Sequence, residues 1–130
     1  MATVQKIIDV DANVEDTWNK IADVGSIANL VGFISESQSD GDIRVCKMAD
    51  GGVLREQIIS IDNTLRRVSY CITDSPLNLE FHSASMQVVP WGQGASLIWT
   101  TDMKPDAAAE QIALIFEEAV PGIKMALEGD

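Results

Sequence analysis

Apolar and polar positions along the chain follow two different periods, and the change between them divides the sequence. Residues 3–10 (Thr-Val-Gln-Lys-Ile-Ile-Asp-Val) are rich in β-branched side chains and predict a strand. Asp11-Ala12-Asn13 interrupts it. Asn13 is suited to an N-cap, and Glu15 and Asp16 follow in the first turn, where carboxylates meet the positive end of a helix dipole. Val14, Trp18, Ile21 and Ala22 share one face of the helix so predicted, which Gly25-Ser26 ends. Ile27, Leu30, Val31 and Ile34 then space out a second short helix, closed at Gly32.

Beyond Gly32 the period becomes two. Strands are predicted near 34–39, 42–48, 53–61, 65–73, 79–89 and 95–104. Asp40-Gly41-Asp42, Asp50-Gly51-Gly52, Asp62-Asn63, Asp74-Ser75-Pro76 and the segment from Pro90 to Gly94 supply the breaks. Gly92 and Gly94 belong to a hairpin turn, since a phosphate loop needs a third glycine and a following helix. Pro105 stops the last strand and Asp106 is the predicted N-cap of a helix over 107–128. Ile112, Ile115, Phe116, Ala119, Ile123 and Leu127 form its apolar stripe, and Pro121-Gly122 inside it predicts a kink rather than a stop. The order is strand, two short helices, a six-strand antiparallel meander and one long helix, an α+β arrangement. A sheet with one dry face and a helix with one dry stripe pack most economically with the sheet curled around the helix.

Composition narrows the class. The 130 residues suffice for one domain, 1–130, and contain no repeat or linker. At 46% hydrophobic the chain buries enough surface to fold without metal or disulfide. Nine basic residues against twenty acidic ones give a formal charge of -11, which repels nucleic-acid backbones and anionic lipid headgroups. No apolar run is long enough to insert in a membrane. Cys46 and Cys71 make neither a metal spacing nor a disulfide framework, and His82, the single histidine, excludes a multi-histidine metal site. No cofactor is expected. Glu117, Glu118, Glu128 and Asp130 read as a solvated face, not a metal cluster. The start of the chain has no apolar leader core, so the expected location is the cytoplasm.

Several stretches resemble one family. They are Val14-Glu15-Asp16-Thr17-Trp18, Gly52-Val53-Leu54-Arg55-Glu56, Asp62 followed by Arg66-Arg67-Val68-Ser69-Tyr70, and Trp99 ahead of Met103-Lys104-Pro105. Together they are similar to the START/polyketide-cyclase superfamily (SRPBCC), in its small bacterial polyketide cyclase/dehydrase-like branch, over nearly the whole chain. The resemblance implies a helix-grip fold, with about seven strands curved around the C-terminal helix. It also implies a deep cavity between sheet and helix that takes hydrophobic small molecules. It implies no single reaction, because members include lipid carriers, hormone receptors and cyclases.

Alternation assigns the faces of that implied cavity. His82, Ala84, Met86 and Val88 share the more apolar face of their strand; Leu97, Trp99, Thr101 and Met103 share theirs; Val68, Tyr70 and Ile72 share a third. Arg55 and Gln57 are the better solvent residues of 53–61, so Glu56 faces inward by elimination, and Ile59 and Ile61 are left outside unless a bulge or a partner chain covers them. Arg44, with Cys46 and Met48, is a candidate for the same inner face. The expected ligand-binding set is Arg44, Glu56, Tyr70, His82, Met86, Trp99, Met103 and Phe116: apolar area for affinity, a few polar groups for orientation.

Each polar candidate has two readings. His82 is a general acid or base, or a hydrogen-bonded interior histidine. Glu56 is a buried base, or the partner of Arg44 in an ion pair across neighbouring strands, the favoured reading because an unpaired buried carboxylate is costly. Tyr70 donates to a ligand, or is satisfied within the core. Three functions follow: a binder of a hydrophobic lipid or aromatic polyketide-like molecule; a cyclase or dehydratase using His82 or Glu56; and a homodimer or other interaction module built on Ile59, Ile61 and the turn residue Trp91. Opening motions are expected at Pro121-Gly122 and across Gly25 to Gly32.

Overall fold

The computed structural model describes residues 1–129. Strand β1 (Ala2–Val10) leads to helix α1 (Val14–Ala22) and a short 3-10 segment, Val24–Asn29. Six strands follow: β2 (Ile34–Asp40), β3 (Ile43–Met48), β4 (Val53–Asp62), β5 (Arg67–Asp74), β6 (Phe81–Trp91) and β7 (Gly94–Lys104). A 3-10 turn, Asp106–Ala108, precedes the long helix α2 (Ala109–Glu128). The sheet is antiparallel in the order β1-β7-β6-β5-β4-β3-β2. The meander expected from the period-two pattern is therefore present, with β1 returning to pair with β7. This is a helix-grip fold: a curved seven-strand sheet, a long C-terminal helix and a few short helices.

Local chemistry explains the element ends. Asn13 caps α1, its Oδ1 accepting from the backbone N–H of Asp16 at 2.7 Å. Trp18 on the buried face of α1 donates Nε1–H to Asn63 Oδ1 at 3.1 Å, tying the helix to the β4–β5 turn. Asp62 Oδ1 accepts from the N–H groups of Thr64 and Leu65, and Arg66 takes a positive φ of 54°. That turn is therefore longer than Asp62-Asn63, and β5 begins at residue 67 instead of 65. Gly94 lies so close to β1 that a side chain there would meet the Val10 carbonyl oxygen at 2.3 Å, so only glycine fits.

Two expected boundaries are corrected. Ile34 is not part of the second short helix; it opens β2, opposite Met48, and the helical segment ends at Asn29. Asp106 does not cap the final helix. Its carboxylate pairs with the amino terminus of Met1 at 3.0 Å, and α2 starts at Ala109 with no side-chain cap. The helix continues through Pro121 without a stop.

The core lies between the concave sheet face and α2. Ile112, Phe116, Ala119, Ile123 and Leu127 are buried as the stripe predicted, and Ile115 is half-buried. They meet Val4, Ile8 and Val10 of β1 and the inner residues of β6 and β7 in one cluster. Glu117 and Glu128 are not merely solvated: Glu117 pairs with Lys6, and Glu128 accepts from the Asp11 N–H at 2.8 Å. Asp130 lies outside the described residues. No metal-binding cluster occurs among the described residues, and none of their helices is long and apolar enough to cross a membrane.

Candidate functional site

The inward side chains of β3 to β7 and the first half of α2 leave a cavity of about 80 Å³. Arg44, Glu56, Tyr70, His82, Met86, Trp99 and Phe116 all line it, together with Thr101, Leu54, Phe33 and others. Seven of the eight expected binding residues are thus brought together. Met103 is not. It is fully buried, but it stands opposite His82 on the β1 side of the sheet and packs in the core, away from the cavity wall. Alternation could place Met103 on the inner face; it could not say how far along that face the open space extends.

The polar groups are tightly arranged. Arg44 and Glu56 are cross-strand partners in the β3–β4 register, and Arg44 Nε donates to Glu56 Oε1 at 2.8 Å. Both side chains are almost completely buried. Arg44 also donates to the Val24 carbonyl at 3.2 Å and lays its guanidinium 4.9 Å from the centre of the Tyr70 ring, a cation–π contact. Cys46 lies beneath, its thiol 3.5 Å from Glu56 Oε1. Burial, and then the Glu56 charge, push that thiol up to about 12, so it is inert at neutral pH. The same two causes hold the Tyr70 hydroxyl well above its ordinary range. Tyr70 stays protonated and accepts a hydrogen bond from Trp99 Nε1 at 2.9 Å.

His82 is buried at 8% exposure. Its Nδ1 accepts the backbone N–H of Ile72 at 3.0 Å, and desolvation lowers its pKa to about 4. The ring is neutral at physiological pH. Phe116 stacks on Trp99 with ring centres 3.7 Å apart and planes 15° from parallel. That stack occupies the middle of the space between sheet and helix, and it is why the cavity is small: ordinary small-molecule pockets run about 300–1,000 Å³.

The cavity has a neighbour. A groove of about 430 Å³ lies outside it, lined by Gly32, Phe33, Met48, Asp50, Ile115, Gly122 and others. Phe33, Met48 and Ile115 border both spaces. Three apolar side chains, all half-buried, are therefore the partition between an inner cavity and an outer groove.

Sequence reasoning missed two features of the site. Thr101 was assigned an inward face but no role, although its Oγ1 is buried without a hydrogen-bond partner. A hydroxyl on an otherwise apolar face was the available signal. Phe33, between two predicted elements, carried no periodic signal.

The fold and an apolar-lined cavity with polar points define the class, a helix-grip protein with an apolar interior. The chain belongs to the polyketide cyclase / dehydrase and lipid transport family, whose profile matches residues 1–128. No curated protein matches it. Among solved structures it is similar to an uncharacterized protein from Bacillus thuringiensis, with a TM-score of 0.88 at 16% identity, covering 97% of this chain and 98% of that one. It is also similar to norcoclaurine synthase from Thalictrum flavum, with a TM-score of 0.73 at 18% identity over 98% of this chain and 84% of that one. A third is the di-domain ARO/CYC BexL, with a TM-score of 0.83 at 14% identity; the match spans 98% of this chain and 47% of BexL. At these identities the likeness is one of fold.

Proposed function

We propose that this protein binds a hydrophobic small molecule, lipid-like or aromatic, between the sheet and the first half of α2. The observation that carries the reading is the thin apolar partition of Phe33, Met48 and Ile115 between two spaces. Rotating those side chains joins the spaces, and their combined volume then falls in the range of small-molecule pockets, about 300–1,000 Å³. Affinity comes from burying apolar area, at roughly 25 cal/mol per Å². The polar groups of the wall set the pose.

The family description covers cyclases and dehydrases as well as lipid transport, and one solved relative is norcoclaurine synthase in complex with dopamine and hydroxybenzaldehyde. The coarse role these support is hydrophobic-ligand binding or cyclisation. Two observations favour binding over acid–base chemistry by the candidates named from the sequence. One Glu56 oxygen is held by Arg44, and the His82 nitrogen that would accept a proton already accepts a hydrogen bond from Ile72 N–H. Ile59, Ile61 and Trp91 are exposed at 59%, 43% and 63%, two on β4 and one at the β6–β7 turn. Self-association through them is the weaker reading, because the two groups lie on separate elements.

The test is a thermal-shift and ligand-detected NMR screen with fused-ring aromatics and medium-chain lipids. Saturable binding that Ile115→Trp blocks, by narrowing the partition, is the expected result. Binding that is indifferent to Ile115 and Phe116, or no binding from any compound, would contradict the proposal.

A further inference from the structure

One part of the cavity wall is selective in its chemistry. Strands β5 and β6 pair from Arg67↔Gln87 to Tyr70↔Ala84, and the ladder stops there. The next inward residues are Ile72 and His82, and here the Ile72 N–H donates to the His82 ring instead. The bond consumes the lone pair on Nδ1. A neutral imidazole has one accepting nitrogen and one that carries the proton, so the proton resides on Nε2. His82 is a fixed neutral donor.

Its neighbours share that character. Tyr70 stands opposite Ala84 across β5–β6, and Ala84 stands opposite Thr101 across β6–β7. The three form one row across the sheet, with only a methyl group in the middle, and His82 is the next inward residue along β6. Tyr70 accepts from Trp99, and among the hydrogen bonds of the described residues its own proton has no acceptor. Thr101, 1% exposed, leaves its hydroxyl unpartnered. All three residues line the cavity. The two charges on the wall, Arg44 and Glu56, neutralise one another at 2.8 Å.

We propose that His82 Nε2–H, on the same cavity wall as the Tyr70 and Thr101 hydroxyls, is a docking point for a neutral hydrogen-bond acceptor, chiefly the carbonyl oxygen of a ketone, ester or lactone on an otherwise apolar ligand. The inference rests on the binding reading above and narrows it to a ligand class. A carboxylate would be buried without an unpaired positive charge to offset its lost hydration, and an ammonium would face donors. A wholly apolar ligand would leave three polar groups unmade.

Two measurements test it. His82 is the only histidine, so ¹⁵N-histidine labelling reports one ring. At neutral pH the expected pattern is a pyridine-type shift at Nδ1 and a pyrrole-type shift at Nε2; the reverse tautomer or a cationic ring overturns the inference without any ligand. The second measurement compares dissociation constants of acetylnaphthalene, ethylnaphthalene, naphthoate and aminomethylnaphthalene. The acetyl compound is expected to bind up to about tenfold tighter than the ethyl one, as one added hydrogen bond allows, with the two charged compounds weakest. His82→Phe is expected to remove the acetyl advantage and keep ethyl binding, and His82→Gln, which retains an N–H donor, to recover part of it. If the phenylalanine variant does not fold, the glutamine variant carries the comparison. Equal affinity of the acetyl and ethyl compounds overturns carbonyl docking and leaves hydrophobic binding intact. Failure of the whole series to bind overturns both.

Discussion

The two halves of α2 lie on the same sheet but are held in different ways. In the second half Ile123 and Leu127 are almost fully buried. Lys20 Nζ donates to the carbonyls of Ala126 and Gly129 at 2.9 and 2.6 Å, which satisfies carbonyls left over at a helix C-terminus and places a cation at the negative end of the dipole. Lys124 donates to the Asp9 carbonyl at 2.6 Å, and Glu128 accepts from Asp11. The first half has no side-chain cap, and Phe116 and Ile115 face a cavity and a groove. One continuous apolar stripe thus serves as a seal at one end and a cover at the other. The difference comes from what meets the stripe, not from the stripe itself.

Perturbations should separate the two ends. The largest effect is expected under the cover. Glu56→Ala leaves Arg44 buried and unpaired, and should cost about 3–5 kcal/mol in chemical denaturation. The double variant Arg44→Met/Glu56→Leu should recover most of that loss. At the seal, Leu127→Ala should cost about 3–4 kcal/mol and leave ligand affinity unchanged, whereas Phe116→Ala, beside an existing void, should cost about 3 kcal/mol and tighten binding of bulky ligands.

The pH dependence is of similar size. The His82 pKa of about 4 in the folded protein lies below its ordinary 6.5, so the unfolded chain binds more protons between those values. Its contribution, on the order of 3 kcal/mol, is complete above about pH 6.5 and is lost as pH falls toward 4. Denaturation midpoints across that window should show the slope, and His82→Gln should flatten it. The smallest effect is Lys20→Met, about 1 kcal/mol from the lost contacts at the helix C-terminus, read as faster hydrogen exchange in the last turn alone.

Much of this difference between the ends was beyond the reach of the sequence. The meander, its inward faces and the exposure of Ile59 were readable because a half-buried strand must alternate; Ile61 is exposed as well, but the bulge sets it opposite Val68 of the inner face, so alternation is not the reason. Glu56 was placed by elimination and Arg44 by the pairing that a buried carboxylate requires, and both stand where that logic put them. Asp106 was misread as a cap because its partner, the amino terminus, is about a hundred residues away in the chain. The His82 tautomer depends on where the β5–β6 ladder ends, and the cavity volume depends on the stacking of Phe116 on Trp99. Neither is a property of local spacing. The register shift between Ile58 and Ser60, a bulge in β4, falls where the apolar positions change phase, from Leu54 and Ile58 to Ile59 and Ile61, and a bulge was one of the two explanations that phase change allowed.

Residue-resolved hydrogen exchange along α2, with and without acetylnaphthalene, tests the central contrast most directly. The amides of 112–118 should exchange faster than those of 123–127 in the free protein, and should slow on ligand addition while the second half stays as it was. Even protection along the helix, unchanged by the ligand, would contradict a cover over a binding cavity.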